Sequence, residues 1–60
     1  MRNTLWQNKK TGAIYQVMGE ATCATNQFEG QALVVYRPVM GAHLYSRDKS
    51  EFFEKFERVD

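Results

Sequence analysis

Cysteine, proline and histidine each occur once in this chain of 60 residues, and glycine only four times. Cys23 alone cannot form an internal disulfide, whereas a small secreted domain normally carries several, so a reducing, cytoplasmic setting is expected. One Cys and one His cannot build a zinc site without suitably spaced carboxylates. The glycines at 12, 19, 30 and 41 are dispersed, so no Gly-rich phosphate loop is present. Neither sign of charge dominates: eight basic residues face seven acidic ones, for a net charge of +1. That balance excludes a general polyanion binder. No apolar run approaches the ~20 residues of a membrane span. Arg2 is followed by no apolar stretch of the signal-peptide kind. The expectation is a cytoplasmic protein with no metal, no cofactor and no membrane partner.

The chain is also short. A single domain of this length buries only about 60% of its unfolded surface. It has room for one layer of core side chains and a shallow groove. A deep, water-excluding pocket of several hundred Å³, the usual size for a small molecule, is not expected. Catalytic groupings are equally sparse. Cys23 and His43 are the one obvious nucleophile and base, and they sit in different segments. Glu51, Glu54 and Glu57 repeat at i, i+3, which fits a solvated face. The chain reads as a non-enzyme, with no catalytic residues.

What is present is a β pattern and eight aromatic residues. Gln31-Ala32-Leu33-Val34-Val35-Tyr36 is a β-rich apolar run, preceded by Gly30 and closed by Arg37-Pro38. Ala13 to Ala21 reads as a long strand, with Tyr15 and Val17 on one face and Ile14, Gln16, Met18 and Glu20 on the other. Gly19 marks a bulge or bend inside it. Thr4 to Gln7 is a short first strand, joined to the second by a turn in which Gly12 supplies φ > 0. Thr22 to Gly30 is a loop, with Phe28 folding back as a plug. Ala42 to Arg47 is a further strand.

Asp48-Lys49-Ser50-Glu51 has the form of a capping box. The favoured continuation is a helical turn through Phe52 and Phe53, then a closing strand at Phe56 to Val59. The alternative is one helix from Asp48 to Arg58. The expected fold is a mainly β, small SH3-like barrel of four to five antiparallel strands, with one short helical turn near the C-terminus. Leu5, Ile14 or Tyr15, Val17, Leu33, Val35, Leu44, Phe52 and Phe56 are the expected core.

The series Gly12-x-x-Tyr15-x-Val17-x-Gly19-x-Ala21, then Val34-Val35-Tyr36, then Ser46-Arg47-x-x-x-Glu51-Phe52-Phe53 and Phe56-Glu57-Arg58-Val59 resembles a family of short bacterial and bacteriophage domains of unknown function. Asp48 stands where that family usually has proline, and Tyr45 near where it often has tryptophan. The resemblance spans residues 5 to 59. It implies a small β-rich domain of bacterial or phage origin and carries no activity.

Function therefore rests on surfaces. Tyr and Trp tips suit interfaces, and small barrels capture peptides in aromatic grooves or at strand edges. The expectation is a protein-binding module, an accessory protein whose partner is a host protein or a second copy. Trp6, Tyr36, Arg37, Tyr45 and Arg47 are the candidate contact residues. The alternative is a small barrel that binds single-stranded nucleic acid, using Trp6, Tyr15, Tyr36 and Tyr45 beside Arg37, Arg47, Lys9 and Lys10.

Overall fold

A computed structural model of the protein describes residues 4–60. Arg2 lies outside the described residues. The chain forms strand β1 (Thr4–Asn8), β2 (Ile14–Thr22), a 3₁₀ turn (Asn26–Phe28), β3 (Ala32–Pro38), β4 (Tyr45–Asp48), helix α1 (Lys49–Lys55) and β5 (Phe56–Arg58). The five strands make one antiparallel sheet in the order β4-β3-β2-β1-β5.

Local chemistry explains the elements. Asn8 Oδ1 accepts from the backbone N–H groups of Lys10 and Thr11, at 2.9 and 3.0 Å, and so winds the β1–β2 turn. Gly12 follows at φ +79°, which a Cβ would resist. At α1, Asp48 Oδ2 accepts from the Glu51 N–H at 3.1 Å. Only that half of the expected capping box forms, because the Glu51 carboxylate pairs with Arg47 Nη1 at 2.7 Å. Asp48 Oδ1 accepts from Gln31 Nε2 at 2.7 Å, which ties the helix start to the entrance of β3. The favoured reading of this region, a helical turn followed by a strand, is the arrangement observed, though α1 runs for seven residues.

The sheet is not closed into a barrel, which corrects the barrel expectation. β4 and β5 are its two edges. α1 begins directly after β4 and ends directly before β5. At about 1.5 Å per residue it separates their adjoining ends by about 10 Å. Paired strands lie about 4.8 Å apart. The seam is therefore filled by helix and aromatic side chains instead of by a ladder.

The core is Val17, Val34, Tyr36, Phe52 and Phe56, with Trp6 and Tyr15 packed against it. Phe52 is fully buried and stacks on Phe56, with centroids 4.3 Å apart and planes 8° from parallel. Tyr36 meets both rings, at 5.1 and 5.5 Å. Aromatic contacts of this kind add about 0.5–1.5 kcal/mol each beyond the area they bury.

Four of the expected core positions move outward. In β3 the inward residues are Val34 and Tyr36, not Leu33 and Val35, because Tyr36 pairs with Val17 across the sheet. Leu5 pairs with Gln16, on the opposite face from Trp6 and Tyr15. Leu44 lies before β4 begins and is 57% exposed. Phe28 is also 57% exposed and plugs nothing. It sits in a turn closed by backbone hydrogen bonds, Phe28 to Thr25 and Gln31 to Phe28, that leaves its ring outside.

Candidate functional site

The five candidate contact residues divide among different places. Tyr36 is a core residue, 5% exposed, and offers no contact surface; this corrects its assignment. Its hydroxyl accepts from Arg47 Nε at 3.2 Å. Arg37 is committed to structure. Its Nη2 donates to Gln16 Oε1 at 2.7 Å and its Nη1 to the Gly41 carbonyl at 3.0 Å, bracing the β3–β4 loop. Tyr45 is exposed, with its ring against Tyr36 and His43. Trp6 and Arg47 line two separate concave surfaces.

The first surface is an apolar cleft of about 160 Å³, lined by Thr4, Trp6, Val17, Val34, Phe52, Phe53 and Arg58. Thr4 Oγ1 accepts from Trp6 Nε1 at 2.7 Å, which satisfies the indole and fixes its ring. Phe53 packs on that ring at 5.3 Å and is 45% exposed. Arg58 lies opposite Trp6 in the β1–β5 ladder, and its Nε donates to Asp60 Oδ1 at 2.9 Å. That bond holds the Asp60 carboxyl below its ordinary value.

The second surface is a basic cradle of about 370 Å³ formed by Asn8, Lys9, Lys10, Thr11, Arg47 and Lys55. The Lys9 backbone N–H donates to the Lys55 carbonyl at 3.0 Å, joining the β1–β2 turn to the end of α1. Lys9, Lys10 and Lys55 are exposed and form no ion pair among the described residues. Arg47 is held by Tyr36 and Glu51, and its guanidinium lies 5.8 Å from the Phe56 ring centre. The hydrogen bond to Tyr36, foremost, raises its pKa above the ordinary value, so the charge is permanent.

α1 keeps the two surfaces apart. Phe52 points into the core. At about 100° per residue, Phe53 falls to one side of it and Lys55 about 60° to the other. Phe53, Arg58 and Lys55 were not among the sequence candidates. The adjacent phenylalanines carried a signal for one of them: on a helix with Phe52 buried, Phe53 must sit on a flank. No comparable signal marked Lys55, whose position depends on the long-range bond to Lys9.

No family model matches the chain. No curated protein matches it either, nor does any solved structure.

Proposed function

We propose that the protein is a non-enzymatic protein-binding module, and that the Trp6–Phe53 cleft receives one large apolar side chain of its partner. The cleft carries this reading. It is preformed, with Trp6 fixed by Thr4 and by Phe53. Its volume of about 160 Å³ falls short of small-molecule pockets, at about 300–1,000 Å³. It is close to the ~150 Å³ cavity that admits benzene in another protein. A ring or branched aliphatic side chain is the occupant that fits. The free sheet edges offer less. β4 has four residues and β5 three, and both carry charges, which discourages strand addition.

The fold supports the same reading. Strands β1 to β4 form a meander and β5 returns beside β1, and α1 between the two edges presents Phe53 to the cleft. The resemblance to short bacterial and phage domains is what supports the remainder of the proposal, an accessory protein of the bacterial cytoplasm whose partner is a host protein.

The test is affinity capture from nuclease-treated bacterial lysate with wild-type protein and with Phe53→Lys, each checked for folding by circular dichroism. The expected result is one stoichiometric protein partner on the wild type that is absent from the variant. Equal capture by both would contradict the assignment of the cleft.

A further inference from the structure

We propose that the basic cradle binds the phosphates of single-stranded nucleic acid, with Tyr45 as the stacking surface for a neighbouring base. This goes beyond protein docking and uses none of the residues that line the apolar cleft.

Three lysines converge without a carboxylate partner among the described residues. What holds Lys9 beside Lys55 is a backbone hydrogen bond, and the Asn8 side chain shapes the turn that presents Lys10. Like charges gathered in this way repel one another unless an anion joins them. The overall charge of +1 conceals the cluster, because no acid lines the cradle and only Glu51 reaches it, through its pair with Arg47. Glu20 pairs with Lys49, Asp60 with Arg58, and Asp48 with Gln31. Electrostatic reach is about 8–10 Å at ordinary salt, so the local cluster governs what binds there.

The choice of nucleic acid over another polyanion rests on Tyr45. It lies on the same face of β4 as Arg47, two residues away, and is 46% exposed. Tyr36 links the two, with its ring 5.9 Å from Tyr45 and its hydroxyl bonded to Arg47. His43 supports the Tyr45 ring at 5.0 Å. A cationic groove beside a propped aromatic ring is the arrangement that holds unstacked bases. A run of acidic side chains offers no flat base to stack on the ring, and a duplex keeps its bases stacked on one another.

The test is fluorescence anisotropy of a labelled oligothymidylate of about ten nucleotides, a length within the range that one small single-strand-binding β domain occupies. Three phosphate contacts predict a slope of about −2 for log affinity against log salt, at about −0.7 per contact. Lys55→Glu, and Lys9→Glu with Lys10→Glu, should each weaken binding at least about tenfold at low salt and flatten the slope. Tyr45→Ala should weaken it about tenfold and leave the slope unchanged. Lys49→Ala, outside the cradle, should change neither. The proposal is overturned by absence of binding at low salt, or by binding that survives the lysine substitutions. Equal affinity for polyglutamate or for a duplex of the same length would overturn it as well.

Discussion

At the scale of single residues, Asp48 does the most varied work. Its carboxylate accepts from Gln31 and from the Glu51 N–H, so one side chain starts α1 and anchors β3. The Gln31 hydrogen bond, foremost, holds its pKa below the ordinary carboxylate value. A depressed folded-state pKa stabilises the fold fully above the unfolded value of about 4, and that contribution is lost as pH falls through the folded value. Thermal melts between about pH 6 and pH 2 should therefore show a shallower acid loss for Asp48→Asn than for wild type. The Asn oxygen can still accept from the Glu51 N–H but carries no charge to titrate. Parallel acid slopes would remove Asp48 from this role. The sequence signalled the cap through the Asp48-x-x-Glu51 spacing. It did not signal Gln31, because that contact depends on how β3 and β4 align.

At the scale of elements, the strands were legible and their facing was not always so. β2 alternates, and Tyr15 and Val17 point inward as their spacing predicts. In β3 the run from Ala32 to Tyr36 is apolar throughout, so both phases look alike until its neighbours choose one. The bulge in β2 was also legible, because Gly19 marks it in the sequence. Register shifts between Val17 and Gly19, and the residue left without a partner there is Met18. Gly19 has no positive φ, and a Cβ there would meet nothing within 4 Å. Gly19→Ala should thus stabilise the protein by up to about 1 kcal/mol, a rise in Tm of about 4–8 °C per kcal/mol at this size. Gly30 sits at φ +89°, and Gly30→Ala should cost about 1–2 kcal/mol despite open space around it. Melts in which both variants shift the same way would refute this account of the two glycines.

At the scale of the whole molecule, α1 turns an open sheet into a protein with two distinct clefts. Its buried Phe52 completes the core, Phe53 opens onto the apolar cleft and Lys55 onto the basic cradle. The five candidates drawn from the sequence were chosen by residue type, as exposed-looking aromatics and arginines. Type alone could not show that Tyr36 is core, that Arg37 braces a loop, or that Trp6 and Arg47 belong to different surfaces. Those facts arise from pairings between distant segments. The most direct test of the central claim is a crossed comparison of Phe53→Lys and Lys55→Glu, each measured for capture of the protein partner and for oligothymidylate affinity. Two independent sites predict that Phe53→Lys loses the partner and keeps the oligonucleotide, while Lys55→Glu does the reverse. If either substitution abolished both activities in a folded protein, or neither changed any, the division of labour across α1 would be contradicted.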